Sequence, residues 1–117
     1  MYKVLSAVTF MAMSQFSFAE STAEDVTGVV YRNIEAIGCH LNDKTCYITV
    51  DEKVGLQGEC FGTSVRWYSD AINGKETFSM FLAAKMANKE IALYVKDGCF
   101  DGGGNYPTFS YMSVRSD

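Results

Sequence analysis

Asp97, Asp101 and Asn105 fall four residues apart in the stretch KDGCFDGGGNYP, residues 96–107. Oxygen side chains so placed could ligate calcium, but the spacing is not that of an EF-hand loop and no glutamate closes the set. The same stretch holds Gly98 and Gly102 to Gly104. Glycines cradle phosphate when they lead from a strand into a helix N-terminus. Here they lead to Pro107 and an alternating run, with no Gly-Lys-Ser/Thr. What remains is mechanical. The glycines accept positive φ at no steric cost, Pro107 fixes the start of the next strand, and Cys99 can tie the loop to another element.

Nucleophilic catalysis would have to use His40, the only histidine, which follows Cys39 in a turn-like stretch. The adjacent carboxylate pairs Glu24-Asp25 and Asp51-Glu52 read as solvated faces, and a domain of this size offers no deep cleft for glycosidase chemistry. The expectation is a protein without catalysis, metal or cofactor. Cys39, Cys46, Cys60 and Cys99 are too widely spaced for a zinc site. An even count in a small exported domain reads as two disulfides, with three connectivities open. Trp67, Tyr68, Tyr94, Tyr106, Phe109 and Tyr111 are dense for a small core. Tyr106, in the glycine-rich loop, is the best candidate for an exposed ring that stacks on a sugar.

The first 19 residues have the layout of a secretory signal peptide: Lys3, an apolar run from Val4 to Met13, and Ser17-Phe18-Ala19 before an acidic stretch. Cleavage would leave residues 20–117 as one domain, secreted or periplasmic, with no second apolar segment long enough to span a bilayer. The net charge of −4 argues against nucleic acid as a partner, because such binding relies on Lys and Arg neutralising phosphates.

These groups must be positioned by strands. Residues 26–38 are β-branched and aromatic and read as one long first strand. His40 to Lys44 is a turn, and residues 45–50 form the second strand, which sets Cys39 and Cys46 face to face near the closed end of a hairpin. Residues 51–59 are polar and read as a loop, and residues 61–68 form a third strand. A helix over residues 75–87 would bury Phe78, Phe81 and Leu82. Residues 90–96 and 108–115 alternate as a fourth and a fifth strand, with Phe109 and Tyr111 on one face and Thr108, Ser110, Met112 and Val114 on the other. The order β-β-β-α-β-β, all-β with one helix, is that of the OB-fold, a five-stranded Greek-key barrel.

Thr27-Gly-Val-Val, the Asn-Asp-Lys turn, the helix FSMFLAAKMANKE, the strand IALYVKDG and the segment NYPTFSYMSV resemble the subtilase cytotoxin B subunit and the short exported bacterial proteins related to it. The likeness covers nearly all of residues 20–117 and is strongest from Phe78 to Val114. It implies an OB-fold and a non-catalytic module that binds a host glycan or a cell-surface receptor. For a toxin subunit it also implies a homopentamer and a catalytic A subunit as partner. The family's glycan-binding serine falls at Thr27, which keeps a hydroxyl, and its late fourth-strand tyrosine falls at Val95, with Tyr94 one place earlier. The ligand-binding candidates are therefore Thr27, Tyr94 and Tyr106. Relatives pair cysteines that match Cys60 and Cys99, which would leave Cys39 and Cys46 as a hairpin staple; the rival pairing is Cys46–Cys60 with Cys39–Cys99. Met80, Ala83, Ala84 and Ala87 would form the oligomer contact, as small side chains do where helices line the pore of toxin rings. The alternative to a glycan-binding module is a periplasmic or secreted accessory protein that binds a protein partner.

Overall fold

Two three-stranded antiparallel sheets and one helix account for residues 25–116, which the structure, a computed structural model, describes. The leader read over residues 1–19 lies outside them. The elements are β1 (Gly28–Arg32), β2 (Ile34–Cys39), β3 (Thr45–Leu56), β4 (Cys60–Tyr68), α1 (Gly74–Met86), β5 (Ile91–Cys99) and β6 (Pro107–Val114). One sheet has the order β1-β5-β6 and the other β2-β3-β4. The mostly-β class with a single helix holds. The five-strand count does not, because the run expected as one strand is two, in different sheets. Nor do the sheets close into a hydrogen-bonded barrel: no ladder joins β4 to β6 among the described residues.

The break falls at Asn33. Its backbone N–H donates to Asp51 Oδ1 (3.1 Å) and its side-chain amide to Oδ2 (3.2 Å), while the Asp51 N–H donates to the Asn33 carbonyl (3.1 Å). Next to it, Arg32 donates from Nε to the Glu52 carbonyl (3.1 Å) and from Nη2 to the Lys53 carbonyl (3.2 Å). These bonds also explain why β3 runs on through Leu56 where polarity suggested a loop. The pairing of β3 with β4 slips between Thr49 and Val54, and Arg32 supplies donors to carbonyls in the slipped segment. Val26 and Gly55 then exchange two backbone hydrogen bonds, both 2.8 Å, which moor the start of β1 to the end of β3.

A second irregularity shapes β6. Tyr94 faces Tyr111 but Val95 faces Phe109, so Ser110 is an extra residue in the pairing. The bulge breaks the expected alternation. Phe109, Met112 and Val114 all lie against the core, and Tyr111 points away from it beside Tyr94.

The core lies between the sheets and under α1, built from Ile48, Val50, Val65, Ile91, Leu93 and Val95 with Phe81 of the helix. Trp67, Phe81 and Phe109 form a triangle of edge-to-face rings with centroids 5.2–5.7 Å apart, and the Trp67 indole N–H donates to the Gly74 carbonyl at 3.0 Å. That bond fixes the start of α1 over β4. Phe81 and Ala84 are the deeply buried side chains of the helix, and Phe78 is partly buried. Leu82 is exposed, contrary to the sequence reading. Ala84, assigned from sequence to an oligomer contact, is only 1% exposed and belongs to the core. At 100° per residue the stripe 77-78-81-84 points inward and leaves Met80, Leu82, Ala83 and Ala87 outside.

Both disulfides are formed, Cys39–Cys46 and Cys60–Cys99, and no free cysteine remains. The first joins residues directly opposite in the β2–β3 hairpin. The second, with Cα atoms 5.5 Å apart, ties the start of β4 to the end of β5 and so links the two sheets. No described helix is long and apolar enough to cross a membrane.

Candidate functional site

The outward positions of β2, β3 and β4 form rows across the sheet. Gly38 faces Tyr47, which faces Arg66; in the next row Ala36 faces Thr49, which faces Ser64. The first row sets an aromatic ring and a guanidinium side by side. A Cβ at position 38 would lie 2.7 Å from the Tyr47 hydroxyl oxygen and 3.0 Å from Cζ, so the phenol end of Tyr47 lies down over β2 where only glycine leaves room. The Arg66 guanidinium carbon is 5.7 Å from the Tyr47 ring centroid and 3.4 Å from that of Tyr106. Its Nε donates to Ser64 Oγ at 3.3 Å, a bond that orients the fork within the face. Its terminal nitrogens have no hydrogen-bond partner among the described residues.

Tyr106 reaches this row because the glycine-rich loop folds back on β4. Phe100 is buried against the Tyr68 ring (4.7 Å), its N–H donates to the Tyr106 carbonyl (2.7 Å), and Thr108 Oγ1 donates to the Arg66 carbonyl (2.6 Å). The Tyr106 ring occupies the space that a Cβ of residue 104 would need. Asp101, one of the three possible calcium ligands, accepts instead from the Tyr68 hydroxyl; desolvation first, then this bond, raise the Tyr68 phenol above its ordinary value. Among the described residues no group of three or more His, Cys, Asp or Glu side chains is placed to hold a metal ion. The loop is a stapled strap that carries an aromatic ring to the edge of the face.

At the other end of the row, the His40 and Tyr47 rings are 6.1 Å apart. His40 Nδ1 lies 3.0 Å from Asp43 Oδ1, which also accepts the Thr45 N–H at 2.9 Å. The Thr45 bond first and the His40 bond second hold the Asp43 carboxyl below its ordinary value. This turn is thus fixed by a carboxylate, and His40 is half-buried beside the aromatic row rather than next to a nucleophile.

The three residues expected to bind ligand do not converge. Tyr106 belongs to the row just described. Tyr94 lies on the outer face of the other sheet, 40% exposed, with its ring 5.2 Å from that of Tyr111 and with Val29 opposite. Thr27, partly buried, precedes β1 two residues before Val29 and so belongs to that second face by position. The sequence reading missed Tyr47 and Arg66. A charge between the inward Val65 and Trp67 marks Arg66 as outward, but only the strand register shows that it stands beside Tyr47. Comparison with family models, with curated proteins and with solved structures returns no match.

Proposed function

We propose that this chain is a secreted or periplasmic, non-catalytic module that binds glycan, and that the outer face of β2-β3-β4 is its binding face. The observation that carries the reading is the Tyr47–Arg66–Tyr106 row with the Thr49 and Ser64 hydroxyls beside it. A sugar offers a flat C–H face and a rim of hydroxyls. Tyr47 can take the first; the free donors of Arg66 and the hydroxyls of the second row can take the others. The arrangement of strands supports an OB-fold reading, in which β1 and β2 count as one bent strand shared by the two sheets and α1 follows the third. In that fold the corresponding face binds oligosaccharides and oligonucleotides, and the acidic balance favours the former. Membership of a toxin B-subunit-like family, a ring of five and an A-subunit partner rest on the sequence resemblance.

A glycan array probed with residues 20–117 tests the proposal. Binding that is lost together in Tyr47→Ala and Arg66→Ala, and kept in Tyr94→Ala, is expected. Binding lost only in Tyr94→Ala or Thr27→Ala would move the site to the β1-β5-β6 face, and no binding by the wild type would remove the reading. The alternative, a protein-binding accessory role, draws on that other face, where Val29, Tyr31, Tyr94 and Tyr111 are all exposed.

A further inference from the structure

The chain has three arginines, Arg32, Arg66 and Arg115. Two of them direct their donors at the protein itself. Arg32 donates from Nε, Nη1 and Nη2 to three backbone carbonyls, and Arg115 Nη1 donates to a Glu90 carboxylate oxygen at 3.0 Å. Arg66 differs. Its Nε is held by Ser64 Oγ and its guanidinium lies against the Tyr106 ring, yet neither terminal nitrogen meets a carboxylate or a carbonyl among the described residues. In a chain of net charge −4, this cation is fixed in place without an anion. The hydroxyls of a neutral sugar would use its donors but not its charge. The edge of a guanidinium presents two parallel N–H donors, and the group that matches them in shape and charge is a planar carboxylate.

We propose that the sugar bound on this face is a hexuronate, a pyranose whose C5 bears an equatorial carboxylate; the proposal rests on the glycan reading above and narrows it. Tyr47 and Arg66 stand directly opposite each other on β3 and β4, with the guanidinium carbon 5.7 Å from the Tyr47 ring centroid. A pyranose lying with its C–H face on Tyr47 sends its equatorial substituents sideways, in the plane of the sugar ring. An equatorial carboxylate then extends across to β4 and meets the Arg66 fork. An axial carboxylate would point along the ring normal, into Tyr47 or out to solvent, and would miss it. The Ser64 hydroxyl accepts from Nε and keeps its own proton to donate to a carboxylate oxygen, and Thr49, opposite Ser64, is placed for a ring hydroxyl. One fixed cation suits one carboxylate. A densely sulfated chain would meet the repulsion of the protein's net negative charge.

The test is a matched pair of probes. One is a tetrasaccharide of alternating glucuronate and N-acetylglucosamine; the other is the same tetrasaccharide with its carboxylates reduced to primary alcohols. Each is titrated calorimetrically, at low salt, into residues 20–117, which contain every described element. The acid should bind about fivefold or more tightly than its reduced form, as a charged, partly exposed pair would give. Arg66→Gln should bring the acid down to the affinity of the reduced form, Tyr47→Ala should weaken both, and Tyr94→Ala, on the other sheet, should leave the ratio unchanged. Equal affinity of the wild type for the two probes, with both weakened by Tyr47→Ala, would overturn the hexuronate and leave the glycan-binding face standing. A preference for the acid that survives in Arg66→Gln would overturn it as well. So would tighter binding of an α-sialoside, whose carboxylate is axial, or of the tetrasaccharide carrying a 6-sulfate in place of the carboxylate. If no glycan binds, this proposal and the glycan reading fall together.

Discussion

Arg66 illustrates how one side chain gains specificity from its neighbours. Stacked on Tyr106 and tethered to Ser64, its guanidinium loses little freedom on meeting a ligand. Arg66→Lys keeps the charge but not the stacked plane or the fork. It should therefore behave like Arg66→Ala in glycan binding, with unfolding midpoints within a few degrees of wild type; recovery of binding by lysine would show that charge alone matters. Asp43 gives a pH prediction whose sign is fixed. A carboxyl lowered in the folded state contributes stability that is complete above its ordinary value of 3.8 and is lost as pH falls through the lower native value. Amide exchange at Thr45 should therefore accelerate only in the acid range, below about pH 4, and Asp43→Asn should flatten that dependence. Unchanged Thr45 protection down to pH 2 would contradict it. Tyr68 gives the opposite edge: its raised phenol favours the native state up to the ordinary value of 10.0, and that contribution fades as pH climbs through the native one.

At the scale of elements, the disulfides and the helix separate sharply. The Cys60–Cys99 bridge closes a loop 39 residues along the chain and the Cys39–Cys46 bridge one of 7. Chain entropy alone then assigns about 4 kcal/mol to the first and about 2.5 kcal/mol to the second. Chemical denaturation of Cys60→Ala/Cys99→Ala should show the larger loss, and an equal loss in Cys39→Ala/Cys46→Ala would refute this ordering. In α1, Ala84→Glu places a charge in the core and should unfold much of the population, whereas Ala83→Glu sits on the exposed side and should cost within about 0.5 kcal/mol. Circular dichroism melts of the two variants decide this. Much of the element order was legible because apolar and β-branched runs persist over whole strands, and α1 was placed within one residue at each end. What could not be read was long-range. Asn33 looks like any polar residue within a strand until Asp51 is beside it, and residues 51–56 look like a loop until Arg32 satisfies their carbonyls. The Ser110 bulge exists only relative to β5. The candidate site was illegible for the same reason, since Tyr47 and Arg66 become neighbours through register and Tyr106 joins them through a strap.

For the whole molecule, the two faces invite different measurements. Net negative charge opposes the approach of two copies, so any self-association through Met80, Ala83 and Ala87, the contact implied by the sequence resemblance, should strengthen with added salt. Light scattering across a salt series on wild type and Ala83→Glu checks this, and a monomer under every condition would remove the helix contact. The bend at Asn33 has a further consequence, one of timing. β2, β3 and β4 are contiguous in sequence and can pair as soon as they exist, whereas the ladder partner of β1 among the described residues is β5, across most of the chain. Loop closure must come before that contact repays it, so the sheet holding the amino-terminal strand should be the slower to form. Pulse-labelled amides of Ile48 and Val65 should gain protection before those of Val30 and Leu93. A chain delivered amino-terminus first across a membrane would then carry β1 unsheltered until its last third had emerged, with Val29 and Tyr31 available to any holding protein in the interval.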